Sequence, residues 1–234
     1  MNDNPAYGSS GACAHYLGSK GARYFAWQRE QSRLSAAVEA RKFQSYIGPS
    51  DCVLDFGCGG GYLLAALHCG KRLGVEVNPV ARQEAIGNRV DCHARLAEAE
   101  DRSVDVAISN HALEHVPFPL DALVQIRQKL RPEGLLVLCV PVEDWRRSRR
   151  YDPEDINHHL YAWTPQLLGN MLDEAGFAVE TESIRIRRHT YSRLQLRWLS
   201  NWPRPIFDWS SFLLSVVLNR LELIAVVRNS GGDK

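Results

Sequence analysis

Val53-Leu54-Asp55-Phe56-Gly57-Cys58-Gly59-Gly60-Gly61-Tyr62-Leu63 sets the architecture of this chain. A short apolar run passes into a loop with glycine at 57, 59, 60 and 61, and then into a helical pattern. Glycine accepts unusual backbone dihedrals and lets a ligand approach with no Cβ in the way. In an open α/β sheet, such a strand-to-helix turn lies where ligands bind, outside the carboxyl ends of the strands. The next apolar run ends at Glu76, where a carboxylate can take both hydroxyls of a ribose.

Outward from this loop, apolar runs at Cys52–Phe56, Arg72–Val77, Val104–Ser109 and Leu135–Val140 alternate with helix-length segments. Asn78-Pro79 and Thr164-Pro165 each pair an N-cap with proline at the first helical position. Gly176 closes the helix that carries Leu167, Leu168, Met171 and Leu172. Alternating strands and helices predict an α/β fold with a mostly parallel, doubly wound sheet covered on both faces. Apolar positions at 3.6-residue spacing predict a helix over Arg23–Ile47, stopped by Gly48-Pro49. Phe177–Arg187 and Leu221–Val227 read as strands. The division is therefore a lead-in and helix over 1–48 and a domain over 49–234, with an aromatic insertion at 190–219.

Composition narrows the function. The 234 residues are 45% hydrophobic and 24% charged, which suits a globular chain and excludes a disordered one. Lys plus Arg number 28 against 27 Asp plus Glu, which argues against a chain that coats nucleic acid. None of the six cysteines shows C-x-x-C spacing, the first residues lack a signal-peptide profile, and no apolar stretch reaches membrane-spanning length. Reduced, mostly buried thiols and a cytoplasmic location are expected.

Two ligand classes fit a glycine loop followed by a ribose-binding acid. Dinucleotide binders use G-x-G-x-x-G to aim a helix N-terminus at a pyrophosphate. Here Tyr62 stands where the last of those glycines would fall, and Asp55 would repel a pyrophosphate. The same acid suits an ammonium-bearing ligand without phosphate, and S-adenosylmethionine is such a ligand. A nicotinamide-dependent oxidoreductase and a non-catalytic S-adenosylmethionine-binding protein remain the alternatives.

The segments Asp55–Gly61, Gly74–Asn78, Val104–Pro117 and Leu130–Gly134 resemble, in order, the motifs of the class I S-adenosylmethionine-dependent methyltransferases. The resemblance implies a Rossmann-like, seven-stranded sheet whose last strand is antiparallel. It also implies that Asp55, Gly57 and Gly59, with Cys58 and Gly61 in the same loop, line the methionine end. Glu76, beside Val77, holds the ribose. His93 and Ala94 flank the adenine, and Asn110 and His111 lie beneath the sulfonium. Histidine at 93 departs from the acid usual at that position.

Methyl transfer needs an acceptor held in line and, for a hydroxyl, a group to take its proton. His115 is the first candidate general base and His111 the second, against a purely structural role for His115 in its Leu-Glu-His-Val-Pro setting. Some members of the family bind a divalent ion at an acidic-x-x-Glu-His pattern. His111 replaces the first acid here, and with Glu114, His115, His158 and His159 it would form a set suited to zinc. No metal is assigned.

Arginines cluster at 146–150 and at 185, 187, 188, 193, 197 and 204, and the segment Ile206–Leu218 is very apolar. Such features suit a solvated face beside a core or homodimer interface. They also suit a grip on phosphate, a cap over an amphiphilic acceptor, or peripheral membrane contact through 185–218. A looser resemblance is to bacterial methyltransferases of surface polysaccharide or lipid-linked saccharides. The expected function is methyl transfer from S-adenosylmethionine, leaving S-adenosylhomocysteine, to a small-molecule or saccharide acceptor on oxygen.

Overall fold

A computed structural model describes residues 15–143, 150–188, 202–217 and 220–231. The long helix α1 (Gly18–Glu39) runs into two single 3-10 turns, Ala40–Lys42 and Gln44–Tyr46, so the predicted helix over 23–47 starts earlier and tightens before its end. Then come β1 (Cys52–Phe56), α2 (Tyr62–Ala66), β2 (Lys71–Val75), α3 (Pro79–Gly87) and β3 (Asp91–His93). The second half holds β4 (Val104–Asn110), α4 (Pro119–Lys129), β5 (Leu130–Val142) and α5 (Pro165–Glu174). It closes with β6 (Phe177–Ala178), β7 (Ile184–Arg188), α6 (Arg204–Val217) and β8 (Leu221–Asn229).

These strands form one sheet in the order β3-β2-β1-β4-β5-β8-β6, and β7 pairs along the same β8 edge as β6. β1 through β5 are parallel, and β8 is antiparallel to β5 over Leu135–Val142. The chain winds from β1 to β2 and β3, then crosses back to β4 on the other side of β1. That reversal opens a crevice at the strand ends beside β1.

Alternation along the strands divides the core. Leu54, Ala107, Leu136 and Leu138 face one way, toward Leu123 and Ile126 of α4 and Leu168 and Leu172 of α5. Val53, Val106, Ile108 and Val137 face the other way, toward Phe43, Leu64 and Ala85. A central parallel strand is therefore apolar on both sides, as the continuous runs in the sequence require. The predicted caps form: Asn78 Oδ1 accepts from the Val80 and Ala81 amides at 3.0 and 3.4 Å, and Thr164 Oγ1 accepts from Leu167 at 3.1 Å.

The strand expected over Phe177–Arg187 is broken in two. Between β6 and β7 the chain makes a 3-10 turn at Thr181–Ser183, where Ser183 Oγ accepts from the Glu180 amide at 3.0 Å and the Glu180 side chain caps the other end. Those local bonds compete successfully with the ladder. β3 is too short and polar to signal itself in sequence. Of the insertion, α6 is described; Tyr191, Trp198 and the arginines at 193 and 197 lie outside the described residues, as do Cys13 and the run 144–149.

Leu136 is fully buried in the center of β5. Leu136→Ala should lower the unfolding free energy by about 2–5 kcal/mol in urea titration, through lost burial and the cavity left behind. A loss well under that range would show that this strand is not held by the two-faced core.

Candidate active site

β1 delivers Asp55 and Phe56 to the crevice, and the loop that follows turns back at once. The Gly57 and Cys58 amides both donate to Val75 O, at 2.8 and 3.2 Å, tying the loop to the end of β2. Gly57 has φ +79°, and a Cβ there would lie 2.4 Å from that of Ala112. Gly59 has φ +53° with no atom within 4 Å of the Cβ position, so its bare backbone faces open space. Gly61 serves packing instead: its Cβ position abuts Val90 and Ala85, and it does not line the cleft.

Two carboxylates flank this loop. Asp55 is buried, and its Oδ1 has no hydrogen-bond partner. Burial, with the charge of Glu76 adding to it, pushes the Asp55 carboxyl up from 3.8 to about 8. Glu76 sits just past β2, where Oε2 accepts from the Gly59 amide at 2.9 Å and Oε1 from the Asn78 amide at 2.8 Å. Burial raises its pKa while these amides oppose the rise. A carboxylate offers about four lone-pair positions, so both oxygens keep acceptor capacity toward the cleft.

Past β4, His111 takes φ +54° and turns its ring into a buried polar network. His111 Nε2 lies 3.2 Å from Glu222 Oε2 and 3.7 Å from Cys139 Sγ. Lys42 Nζ lies 2.9 Å from the same Glu222 oxygen and 2.8 Å from Glu39 Oε2, which also accepts from Asn110 Nδ2 at 2.9 Å. Burial alone would strip the proton from His111, but Cys139, Glu114 and Glu222 hold it, and the pKa lies well above the ordinary histidine value.

Glu114 is fully buried, and neither oxygen has a hydrogen-bond partner; Oε1 stands 3.6 Å from His111 Nδ1, a charge contact. Burial would raise its pKa, yet the His111 imidazolium keeps it below the usual carboxylate range.

His115 has the opposite character. Burial pushes its pKa down to about 4, against the pull of Glu114. Its Nδ1 lies 2.7 Å from Tyr16 Oη, and that hydroxyl is 2.9 Å from Asn157 O. Tyr24 packs edge-on against both rings. His159 pairs with Glu143 and lies edge-on to His115. Donor atoms of Glu114, His115 and His159 lie within 4.8 Å of one another, and those of His111, Cys139 and Glu222 form a second such group. His158 stands apart from both, stacked on His15 at 4.4 Å.

One cleft of about 1610 Å³ joins the two halves. Asp55, Gly57, Cys58, Gly59, Glu76 and Val77 line one part; Asn110, His111, Glu114 and His115 line the other. Ala94 lines it as well, but His93 does not: its ring lies between Asp91 and Glu98, at 3.6 and 4.0 Å. Sequence reasoning missed the aromatic wall, in which Tyr16, just before α1, and Tyr24 and Trp27 within it line the cleft, and it missed Leu96 beside Ala94. It also missed Lys42 and Glu222, which are remote from every motif.

The strand order with its antiparallel β8, the glycine turn and the paired acids together describe a known arrangement. Residues 20–182, more than half of the chain, match the family model described as a methyltransferase domain. The chain belongs to the class I S-adenosylmethionine-dependent methyltransferases. Among relatives of the chain, the ubiquinone biosynthesis O-methyltransferase of Roseobacter denitrificans is 35% identical over 129 residues, 49% of this chain and 50% of that protein. The Haemophilus ducreyi protein of the same name is 33% identical over 102 residues, 37% of this chain and 43% of its own length. The chain thus spans half or less of the length of these relatives. A solved chain from the complex with the Haloferax volcanii Trm112 methyltransferase activator superposes with a TM-score of 0.65 at 18% identity, covering 92% of this chain and 97% of that one. An S-adenosylmethionine-dependent methyltransferase from Archaeoglobus fulgidus gives 0.60 at 18%, covering 88% and 99%. At these identities the solved structures bear on the fold alone.

Asp55 supplies a direct test of the site's electrostatics. Its folded pKa is raised, so its contribution to stability is lost as pH rises from the ordinary carboxylate value of 3.8 through about 8. Asp55→Asn should therefore raise the melting temperature of the ligand-free protein more at pH 9 than at pH 5 in scanning calorimetry. An equal effect at both would mean that Asp55 is not buried and uncompensated.

Proposed function

We propose that the protein transfers a methyl group from S-adenosylmethionine to an oxygen of a small-molecule or saccharide acceptor, lipid-linked acceptors included. The observation that carries this is the buried, unpartnered Asp55 oxygen beside an open glycine backbone and the Glu76 carboxylate. Such a set suits an ammonium group and ribose hydroxyls, and it repels a pyrophosphate. Asp55 with Gly57, Cys58 and Gly59 would hold the methionine end, Glu76 with Val77 the ribose, and Ala94 with Leu96 the adenine. Asn110 and His111 would lie under the sulfonium. When bound, the cofactor supplies a methyl group already activated by positive charge on sulfur.

The remaining chemistry falls to the chain. His115 is unprotonated at neutral pH because burial holds its pKa near 4, and the Glu114 charge favors the imidazolium it would become. It is the group that takes the acceptor's proton. His111 keeps its own proton and cannot do so, which ranks it below His115 as a base. Tyr16 fixes the His115 ring, and the aromatic side chains of α1 form an apolar wall beside the site of transfer. Transfer to oxygen is supported by the relatives named as O-methyltransferases. No observation favors a nicotinamide cofactor, and the ionized Glu114 beside a neutral His115 favors catalysis over binding alone.

S-adenosylhomocysteine should raise the melting temperature and NAD should not; the reverse would overturn the cofactor assignment. Glu76→Ala should weaken S-adenosylhomocysteine binding by about 1–3 kcal/mol in calorimetric titration, from loss of a charged acceptor. Unchanged affinity would remove Glu76 from the ribose site. His115→Ala should lower kcat by about 10²–10⁴-fold while the affinity for S-adenosylhomocysteine stays the same. A variant with normal turnover would leave His115 a structural role.

A further inference from the structure

Helix α6 exposes six large apolar side chains, more than any other described helix. It is 14 residues long, and no helix among the described residues is long and apolar enough to cross a membrane. One side packs down: Phe207 and Ser215 are buried, and Arg188 of β7 donates from Nη1 to Ser215 O at 3.3 Å. The other side presents Ile206, Trp209, Phe212, Leu213, Val216 and Val217 to solvent, with Trp209 64%, Phe212 56% and Val217 78% exposed. A water-facing helix surface is ordinarily polar, so this one lacks its partner.

The charge of the sequence that carries the helix says what that partner is. Between Glu182 and Glu222 the chain has seven arginines, at 185, 187, 188, 193, 197, 204 and 220, and a single acid, Asp208, with Arg187 paired to Glu222 at 3.3 Å, although the whole chain carries only +1. An isologous contact with a second copy would set this surface against itself and bring like charges together. An exposed apolar and aromatic helix face within an arginine-rich stretch of sequence instead matches the interfacial layer of an anionic bilayer. Location adds a reason. Arg220 and Leu221, just after α6, line the cleft, so a surface that seats α6 also lies at the cleft wall.

We propose that α6 is an in-plane membrane anchor that seats the protein on an anionic lipid surface, and that the methyl acceptor is an amphiphile taken from that surface. This rests on the methyl-transfer function proposed above, and it narrows the acceptor to molecules that partition into a bilayer.

The test is flotation of the full chain with vesicles of phosphatidylcholine alone or with phosphatidylglycerol added, in parallel with calorimetric titration of S-adenosylhomocysteine. The chain should float with the anionic vesicles and stay behind with the neutral ones. The double variant Trp209→Ser/Phe212→Ser should weaken anionic-vesicle binding by at least about tenfold, and Arg185→Glu should weaken it to a lesser degree, as one charge among several. Because these side chains are exposed, both variants should bind S-adenosylhomocysteine as the parent does. Failure of the parent to float, or flotation unchanged in the double variant, would overturn the anchor. So would a dimer in solution that the double variant dissociates, which would give the face to a second copy. Loss of S-adenosylhomocysteine binding by the parent itself would instead strike the methyl-transfer function, whatever the vesicles show.

Discussion

Lys42 is a buried ammonium held at 2.8 Å by Glu39 and at 2.9 Å by Glu222, and much of the site's geometry hangs on it. Glu39 ends α1, the helix that lines the cleft; Glu222 lies near the start of β8, the antiparallel strand against β5. One cation therefore joins that helix to the far strand through the floor of the site. Such a cluster is expensive to desolvate, and removing one member of a buried pair leaves an uncompensated charge at a cost of about 3–5 kcal/mol. Burial opposes the charge on Lys42, but Cys139, Glu39 and Glu222 outweigh it and raise its pKa. Glu222 also faces His111, so the cluster that fixes α1 also fixes the proton on the residue beneath the cleft.

The cleft is divided electrostatically along its length. At the glycine loop, burial keeps the Asp55 carboxyl largely protonated at neutral pH, ready to ionize for a cationic ligand. At the other end Glu114, equally buried, stays ionized because the His111 imidazolium is 3.6 Å away. Two histidines four residues apart take opposite states for the same kind of reason. His111 is enclosed by acids and a thiol, whereas His115 is enclosed by Tyr16, Tyr24 and His159. Neighbors across the fold, and not residue type, assign these roles.

Much of the site was legible because its cause is local. A glycine loop after an apolar run, an acid closing the next run, and Asn-Pro and Thr-Pro at helix starts are backbone constraints within a few residues. Where local rules compete, legibility failed: the Glu180–Ser183 turn interrupts an otherwise strand-like run, and α1 tightens into 3-10 turns where Lys42 reaches Glu222. Gly61 looked like a ligand-facing glycine by pattern, yet it is a packing residue against α3. His93 looked like an adenine neighbor by position, yet its ring turns toward Asp91 and Glu98.

By itself the sequence determined the mostly parallel sheet, the glycine turn and the acids that flank it, since each follows from side-chain period and backbone freedom, whereas the order of the strands came only with the fold. Only the tertiary structure decided the rest. It placed Tyr16 on His115 across 99 positions and Lys42 on Glu222 across 180, and it turned the apolar side of α6 outward. Pairings at such separation leave no periodic trace, because they arise from where whole elements dock. Charge states of buried groups follow those pairings and so become readable only with them.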